Sequence, residues 1–441
     1  MRKYLLSLVF LVIYFNSNLT AQDRKCAANE VMERQISQNP GFAMRMLAIE
    51  KHTQEFVAYK RSIKSNKGKP PGTPGGGNGG GGGGGEEPPS TFNPVTIPVV
   101  VHVVYNNSQQ NISNARITEQ IDILNEDFSA ANDDIDNYIP SQYTSVVSQG
   151  TEISFCLVQT KRVQTSVSSF STNDAMKFSS SGGSDAVDPA KYLNIWVCNM
   201  GGGILGYAQF PGGNPETDGV VVLYSAFGNT SGNYGLGRTA THEVGHYFNL
   251  RHIWGDRRCG SDLVDDTPLH DAANYGCPSN GATSNCKGPI VEMWMNYMDY
   301  TYDRCMYMFS EGQSLRMQAT LSAGGPREGM VQTNACQTIR SSSPSNYLME
   351  SNNSNFKLNG FQVYPTITAG TVNIRFYSAK NNVAEFALYN NAGILVAKKR
   401  FAANEGQNIK SFELDNVSNG LYIARLNDNG ITQTQKLVIQ H

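Results

Sequence analysis

The stretch Thr241–Asp256, THEVGHYFNLRHIWGD, carries the residue pattern from which the rest of the chain can be interpreted. His242 and His246 are four residues apart, so on an α-helix their imidazoles share one face and can bind one metal ion. Glu243 can take a proton from water at that metal without being a ligand itself. His252 reaches the same ion only if the helix ends before it. Three histidines with an open fourth position are typical of catalytic zinc, whereas structural zinc sites close all four positions.

The third histidine makes this pattern specific, because HExxH alone occurs in many unrelated chains. The stretch matches HExxHxxGxxH, the signature that the metzincin metalloproteases combine with a methionine turn, except that Asn249 stands where the pattern has glycine. Glycine allows the chain to leave the helix with a positive φ, and asparagine is the next residue type that tolerates this conformation. We therefore predict a turn between Asn249 and His252.

The chain start predicts export. Residues 1–21 have a basic beginning with Arg2 and Lys3, an apolar run over Tyr4–Phe15 and small polar residues up to Ala21, which is typical of a secretory signal peptide. No other stretch has the apolar length of a membrane span, so we expect no transmembrane segment in the mature protein. The formal net charge of −2 gives no electrostatic reason to expect nucleic acid as a partner.

Residues 22–63 read as an amphipathic helical segment, and residues 64–91 form a glycine- and proline-rich linker. A helical segment tethered ahead of a protease is typical of a pro-peptide. Cys26 lies near its start, and a thiolate there can fill the open zinc position and keep the enzyme latent. The alternative is an unpaired exported cysteine without a role.

Residues 92–340 have a globular composition, and 441 residues suffice for two or three domains. Strand, helix and further strands in sequence predict an α+β fold, with a mixed twisted sheet and an active-site helix packed on it. The expected elements are a strand over Phe92–Asn107, a helix carrying Ile117, Ile121, Leu124 and Phe128, strands over Glu152–Lys161, Tyr192–Met200 and Gly219–Tyr224, and the active-site helix over Arg238–Leu250. His102 is expected to be a core histidine, and His52 lies outside the mature enzyme.

Exported chains can form disulfides, and this one has eight cysteines. Cys259, Cys277, Cys286 and Cys305 cluster in a loop-rich segment that needs cross-links, which predicts two disulfides with three possible connectivities. Cys156 and Cys198 lie in apolar strand-like runs, where we favour buried thiols over a third bridge. No partner is evident for Cys26 or Cys336, the other two cysteines.

Two further features follow the histidines. Asp262, Asp265, Asp266 and Asp271 lie close together in sequence, which suggests calcium, although a solvated acidic loop explains them too. Met298 can form the methionine turn beneath the zinc. Tyr300 can reach the metal or the oxyanion of the reaction. The alternative is that Met298 and Tyr300 are ordinary core residues.

Together HEVGHYFNLRHIWGD, VDDTP and NYMDYTYDRCMYMFSEGQSLRM resemble the pappalysin family of metzincins, especially its ulilysin-like members, over about Phe92 to Arg327. The resemblance implies that His242, His246 and His252 are zinc ligands and that Glu243 is the general base and acid. It also implies that Met298 forms the methionine turn and that Tyr300 lies near the zinc.

The same resemblance implies disulfides Cys259–Cys286 and Cys277–Cys305 and latency through Cys26, although Ala27 stands where the family's cysteine motif usually has glycine. It favours calcium in the Asp262–Thr267 loop, with Asp262, Asp265, Asp266 and Thr267 as ligands. Asp303 matches an acidic residue at the floor of the S1′ pocket, which implies a preference for Arg or Lys at P1′.

Residues 361–441, after a linker over 341–360, read as short alternating strands and predict a small β-sandwich. FQVYP, NGLYIARL and QKLVI resemble the C-terminal sorting domain of type IX secretion, with YPTI where that family usually has YPNP. The resemblance implies the type IX secretion machinery as a partner. The alternative is an accessory sandwich that binds substrate or carbohydrate.

The sequence thus predicts a zymogenic zinc endopeptidase that acts on proteins or peptides. It would pass through the periplasm and be secreted or attached to the outer-membrane surface. One alternative is a non-catalytic, zinc-stabilised surface adhesin, but a structural zinc would not need Glu243. A zinc hydrolase of non-peptide amides is disfavoured by the methionine turn and the pro-region.

Overall fold

The computed structural model describes residues 26–66, 92–136, 139–278, 281–333 and 335–336, and, nearer the C-terminus, 361–364, 367–368, 371–378, 380, 382–390, 393–403, 406–414 and 417–440. The expected signal peptide, most of the 64–91 linker and the 341–360 linker lie outside these residues. The chain forms two units, Met1–Ser343 and Pro344–His441.

A five-stranded sheet organises the first unit, in the order β2-β1-β3-β5-β4. The strands are β1 (Val95–Tyr105), β2 (Ile153–Gln164), β3 (Leu193–Cys198), β4 (Gly206–Ala208) and β5 (Val220–Leu223). All pairs are parallel except β4 with β5. The almost continuous apolar sequence of β1 matches its burial on both faces, as expected for a central parallel strand. The predicted mixed sheet is confirmed.

The predicted strands agree with the observed ones to within a few residues at each end. Strand β4 was missed, because three residues are too short to show periodicity. It forms the antiparallel edge of the sheet, and the active-site helix packs against β4 and β5. An edge strand has unpaired backbone groups, so β4 can pair with another segment of chain.

Helix α3 (Asn114–Phe128) begins where the Asn/Ser signal predicts, with the Ser113 side chain accepting a hydrogen bond from the Arg116 amide at 3.2 Å. Its apolar face is buried, as the spacing of Ile117, Ile121, Leu124 and Phe128 requires. The helix packs against β2 and the active-site helix.

The N-terminal segment forms two helices, α1 (Ala28–Gln38) and α2 (Pro40–Asn66). The predicted helical character is confirmed, with a break at Asn39–Pro40 because proline suits the first turn of a helix but not its interior. Helix α2 packs along α5 (Glu311–Leu321). Helix α5 starts with a capping box between Ser310 and Gln313.

The described residues contain three disulfides. Cys259–Cys286 and Cys277–Cys305 are the pairs that the family resemblance implied. The expectation of a buried thiol is wrong for Cys156, which is bonded to Cys336, and right for Cys198. Cys156 lies on the half-exposed face of strand β2, where a cysteine 180 residues later can reach it. A separation of that length leaves no local pattern in the sequence.

His102 is buried in β1, as predicted for a core histidine. Its ring nitrogens contact the Ser184 hydroxyl at 2.8 Å and the Asn194 side-chain oxygen at 2.9 Å, and its ring stacks on Trp196. Burial lowers the pKa of His102 to about 4, so the imidazole is neutral at pH 7.

In its described residues, the second unit has a three-stranded sheet in the order β6-β8-β11 and a five-stranded sheet in the order β7-β13-β12-β9-β10. The strands are β6 (Gln362–Tyr364), β7 (Ile367–Thr368), β8 (Thr371–Ser378), β9 (Asn382–Asn390), β10 (Leu395–Ala403), β11 (Gly406–Glu413), β12 (Gly420–Asp428) and β13 (Ile431–Ile439). One apolar cluster draws side chains from both sheets, which is the packing of a β-sandwich. Within the described part of the chain, no helix is both long enough and apolar enough to cross a bilayer.

Candidate metal centre

Helix α4 (Arg238–Tyr247) carries the first part of the histidine motif and is buried along its whole length. The helix is shorter than predicted. Asn249 adopts φ 69°, the left-handed conformation expected at the position where the metzincin signature has glycine. The Asn249 amide donates to the His246 carbonyl at 2.9 Å, and the chain then returns His252 towards the helix. The predicted turn is therefore present, without glycine.

The three imidazoles converge on one point. The Nε2 atom of His246 lies 3.1 Å from Nε2 of His242 and 3.0 Å from Nε2 of His252. Three ligands around tetrahedral zinc at about 2.0–2.1 Å would have nitrogen–nitrogen distances of roughly 3.3 Å. The observed cluster is slightly tighter than that and has the shape that a single ion requires.

Hydrogen bonds at the opposite ring nitrogens fix the protonation of the cluster. Nδ1 of His242 lies 2.7 Å from the Tyr297 carbonyl oxygen, and Nδ1 of His246 lies 2.8 Å from the Leu250 carbonyl oxygen. A carbonyl only accepts, so each Nδ1 must carry the proton and each Nε2 presents a lone pair. Converging lone pairs repel unless a cation lies between them, so the site fits a metal ion.

The pKa of His246 supports the same protonation state. Burial, followed by the neighbouring His252, lowers the pKa of His246 to about 3. Metal binding requires neutral imidazole, so no proton has to be displaced from this residue at pH 7.

Asp256 was not singled out from the sequence, although it ends the stretch quoted first. Its Oδ1 lies 2.5 Å from Nδ1 of His252. It therefore accepts the Nδ1 hydrogen bond of His252, as backbone carbonyls do for the other two histidines. The Trp254 ring stacks on His252 with centroids 4.3 Å apart. A carboxylate after a third histidine is the signal that would have identified Asp256.

Glu243 is buried beside the histidines and is not one of the clustered ligand atoms. Strand β4 passes close to it at Gly206. A Cβ at position 206 would lie 2.9 Å from Cγ of Glu243 and 2.8 Å from the Val221 carbonyl oxygen. The absence of a side chain at Gly206 therefore leaves space for the Glu243 side chain. One glycine among 43 offers no sequence signal for such a role.

Met298 lies beneath the helix, fully buried. A Cβ at Gly245 would lie 2.6 Å from the Met298 sulfur, so the sulfur packs directly on the helix backbone between the two histidines. The Met298 carbonyl accepts from the Ile253 amide at 3.2 Å, which ties this turn to the loop carrying the third histidine.

The Tyr300 hydroxyl lies 3.2 Å from Nε2 of His252 and donates to the Cys26 carbonyl at 3.2 Å. Burial, then the nearby Cys26 and Glu243, raise the pKa of Tyr300 well above its usual value. The phenol therefore keeps its proton and remains a hydrogen-bond donor at the metal cluster.

Cys26 enters the same cluster from the N-terminal segment. Its sulfur and the three histidine nitrogens all lie within 4.8 Å of one another. The Ala28 amide donates to the sulfur at 3.3 Å, and the Ala27 amide donates to the Gly206 carbonyl at 3.0 Å. Burial and the Glu243 charge raise the pKa of the Cys26 thiol, so its thiolate needs a cation beside it.

Asp303 is fully buried at the beginning of α4. Its Oδ2 accepts from the Leu236 amide at 2.9 Å and the Arg238 amide at 3.2 Å, about one helical turn before His242. These contacts orient one edge of the carboxylate.

The acidic loop does not converge on one point. Asp262 is buried and accepts from the Thr267 hydroxyl at 2.9 Å, whereas Asp265 is exposed and pairs with Arg61 at 2.5 Å. Asp266 accepts from Ser310 and Gly312. In the described residues, the groups of metal-binding side chains are the cysteine–histidine cluster and a second one of Cys259, Asp271 and Cys286, whose cysteines are disulfide-bonded.

Two segments of the chain match family models. Residues 179–322 match the family described as pregnancy-associated plasma protein-A, and residues 362–440 match the secretion system C-terminal sorting domain. An extracellular metalloprotease of Arthroderma benhamiae is 35% identical over 238 residues, which are 51% of this chain and 71% of that relative.

Two solved structures from Tannerella forsythia resemble this chain. Mature mirolysin in complex with a cleaved peptide is 46% identical, with a TM-score of 0.53, over 55% of this chain and 97% of that one. A promirolysin mutant is 38% identical, with a TM-score of 0.59, over 70% of this chain and 97% of that one. The similarity to the precursor thus extends over more of this chain than the similarity to the mature form.

Proposed function

The chain belongs to the pappalysin family of metalloproteases and ends in a type IX secretion sorting domain, and on that premise we propose that it is a zinc endopeptidase made as an inactive precursor. It is a secreted metalloendopeptidase.

The observation that carries the zinc proposal is the hydrogen bonding of the three imidazoles. Tyr297, Leu250 and Asp256 hold the Nδ1 atoms, so three lone pairs face one another across 3.0–3.1 Å. Three nitrogen ligands are a typical catalytic zinc set, because one position is left for water or substrate. A bound zinc ion supplies Lewis-acid activation of water and of the scissile carbonyl.

The chain's own groups supply the proton transfers. Glu243 takes a proton from the attacking water and returns it to the leaving amine, for which its buried position beside the histidines is suited. The Tyr300 hydroxyl, kept protonated by burial, donates to the carbonyl oxygen as that oxygen gains charge. The absence of a side chain at Gly206 lets Glu243 pack against strand β4 in this position.

Latency is proposed to come from Cys26. Its sulfur takes the fourth position of the cluster, and its thiol is within 3.4 Å of the Glu243 carboxylate. Residues 22–63 act as the pro-peptide, 64–91 as the linker and 92–340 as the protease. The promirolysin likeness, which covers more of the chain than the mature form does, supports this division.

A preference for Arg or Lys at P1′ is proposed from Asp303. The carboxylate is fully buried, and the contacts described above hold one of its oxygens at the start of α4. A buried carboxylate gains most from a cationic side chain, which a basic P1′ residue would bring.

Calcium remains a prediction, now centred on Asp262. Burial raises the pKa of Asp262 to about 7, so this carboxylate would gain from a hard cation held with Thr267. Asp265 and Asp266 are bound elsewhere in the precursor. A rise in melting temperature on adding calcium, lost in Asp262→Asn, would support the site.

Removal and restoration of metal test the proposed function. The purified enzyme without its pro-peptide should cleave a fluorogenic peptide, lose activity in 1,10-phenanthroline and regain it when zinc is added back. Metal analysis should give one zinc per chain. Peptide cleavage that persists after all zinc has been removed would contradict the proposal, whereas bound zinc without any cleavage would favour the adhesin alternative.

A further inference from the structure

Helix α2 binds the protease through one face. Thr53 and Phe56 are fully buried, and Phe56 belongs to the same apolar cluster as the central sheet of the protease. Nε2 of His52 contacts the Ala319 carbonyl at 3.1 Å and the Ser322 hydroxyl at 3.0 Å, at the end of α5. These contacts pack one face of α2 against the protease.

An ion pair with unusual burial lies at one end of this face. Both oxygens of Glu50 accept from the guanidinium of Arg316, at 3.0 and 2.8 Å, with side-chain exposures of 20% and 3% respectively. Arg316 also donates to the Leu263 carbonyl at 3.1 Å. Within the described residues, the carboxylate paired with this buried cation belongs to the pro-peptide. Charge-assisted bidentate pairs of this kind are strong and directional.

A second ion pair of opposite polarity lies further along. Arg61 of α2 pairs with Asp265 at 2.5 Å, and both side chains are well exposed, at 43% and 82%. Glu50 and Arg61 are eleven residues apart, which is about 16 Å along a helix. The protease thus presents a positive end at Arg316 and a negative end at Asp265, with apolar contacts between them. This arrangement fixes the direction in which a helix can bind.

The surface has more room than α2 fills. A cavity of about 380 Å³ lies between α2 and the protease, lined by Val57 and Ala58 on the helix and by Val264, Gly312 and Arg316 on the protease. The small side chains at 57 and 58 leave it open. The surface is a groove, which we call the α5 groove and define by Asp265, Gly312, Arg316, Ala319 and Ser322.

The α5 groove shares no side chain with the metal cluster. In the pro-peptide, Cys26 lies in the histidine cluster, and the Ala27 amide donates to the carbonyl of Gly206 in strand β4. Helix α2 begins only after the break at Asn39–Pro40. The contacts along α5 are therefore separate from those at the histidine cluster. Between them, α1 buries Val31 and Met32 in a second apolar cluster, and Arg34 pairs with Asp174 at 2.9 Å.

We propose that the α5 groove is an exosite for an amphipathic helix that carries a glutamate eleven residues before an arginine, and that α2 occupies it independently of Cys26. A cut in the 64–91 linker then leaves the pro-peptide bound as a separate inhibitor chain. Release requires loss of the Glu50–Arg316 contact. The proposal rests on the proposed pro-peptide role of residues 22–63.

The test uses the full precursor with Glu243→Ala, so that no self-cleavage occurs, and a recognition site for a specific protease inserted in the glycine run at 79–85. After cleavage, the fraction of pro-peptide still bound is measured by size exclusion over a dilution series. The parent and a Cys26→Ala version should both stay associated. Glu50→Gln should weaken binding on the order of 30-fold or more, because a buried charge loses its partner.

Arg61→Gln is the matched control, since it removes an exposed pair at the other end of the same helix. It should weaken binding less than about threefold. Complete release in Cys26→Ala with unchanged binding in Glu50→Gln would overturn the proposal, because the attachment would then lie at the metal alone. Equal effects of Glu50→Gln and Arg61→Gln would also overturn the assignment of Arg316 as the main charged contact of the groove.

A synthetic peptide of Pro40–Asn66, which lacks Cys26, keeps the test independent of precursor folding. Labelled peptide should bind the cleaved protein after its pro-peptide is removed, and the Glu50→Gln peptide should bind on the order of 30-fold more weakly. No saturable binding of the unaltered peptide would contradict the proposal. Peptidase activity is assayed separately in a chain that retains Glu243, so a failure of the proposed function is distinguishable from a failure of the exosite.

Discussion

The Cys26 thiol lies 3.4 Å from the Glu243 carboxylate and donates to it, in the same cluster as the three histidines. One residue of the proposed pro-peptide thus lies at both the proposed metal position and the proposed general base. A substrate carbonyl and an attacking water need the same two places. On this geometry the proposed latency would come from occupying the site, with no distortion of α4 required.

Replacing Glu243 tests its role in proton transfer. Glu243→Ala should lower kcat/KM for peptide cleavage by about 10²- to 10⁴-fold, because the group that accepts and returns the proton is gone. The zinc content should be unchanged, since Glu243 is not among the clustered ligand atoms. Metal analysis and a fluorogenic assay measure both quantities, and full activity in this variant would rule out the mechanism.

Cys26→Ala should shorten the activation of the precursor. The alanine cannot bind zinc, so the fourth position is available earlier and the lag before peptide cleavage should fall severalfold. Cleavage of the precursor followed by gel electrophoresis gives the time course. Arg61→Gln serves as a pro-peptide control that leaves the metal cluster untouched. An identical lag in Cys26→Ala and the parent would show that this thiol has no part in latency.

Asp256 is expected to position His252. Asp256→Asn keeps an acceptor for the Nδ1 proton and tolerates the φ of 57° at this position, but it removes the charge. We expect zinc affinity to fall by about tenfold, at the lower end of the effects seen for groups that orient metal ligands. Competition with a chromogenic chelator measures the affinity directly. An unchanged zinc dissociation constant would mean that the carboxylate charge is not needed.

Asp303→Asn tests the P1′ preference. Asparagine can still accept from Leu236 and Arg238, so the start of α4 should be retained, whereas the attraction to a cation is lost. The ratio of kcat/KM for Arg over Leu at P1′ should fall on the order of tenfold or more. Cleavage-site profiling on a peptide library gives the ratio. A parent enzyme without any basic preference at P1′ would refute the assignment before the variant is made.

His102 makes the first unit sensitive to acid. Its pKa is lowered from 6.5 to about 4, so below pH 6.5 the unfolded chain takes up a proton that the folded chain refuses. The contribution of neutral His102 to the free energy of unfolding is therefore complete above pH 6.5 and is lost as the pH falls towards 4. Over that range the free energy of unfolding falls by up to about 1.4 kcal/mol per pH unit.

Replacement of this histidine should remove that part of the slope. His102→Gln is expected to be less stable than the parent at pH 7, yet its apparent free energy of unfolding should change less between pH 6.5 and 4.5. Urea unfolding followed by tryptophan fluorescence measures this, since Trp196, Trp254 and Trp294 all lie in the first unit. Parallel pH profiles in the two proteins would contradict the assignment.

The parts of the site that the sequence predicted are the local ones. The spacing of His242, His246 and His252 and the conformational tolerance of Asn249 are properties of eleven consecutive residues, so the helix and the turn could be derived from them. The β1 strand and the α3 helix were predictable for the same reason, because their periodicity lies within one element.

The missed features depend on contacts between distant segments. Cys156–Cys336, the room that Gly206 gives Glu243 and the pairing of Glu50 with Arg316 each join residues at least 37 positions apart. Nothing in the flanking residues distinguishes these positions from others of the same type. Asp256 is different, because it lies only four residues after His252 and a carboxylate that orients a metal-binding histidine could have been expected there.

The disulfide between Cys156 and Cys336 also has a mechanical consequence. A chain that is pulled by its C-terminal region transmits tension along the backbone until it meets a covalent branch. Here that branch is the disulfide at Cys336, which passes part of the load to Cys156 in β2. Strand β2 is hydrogen-bonded to β1 along its length. The segment between α5 and Cys336 then carries only the remainder of such a load.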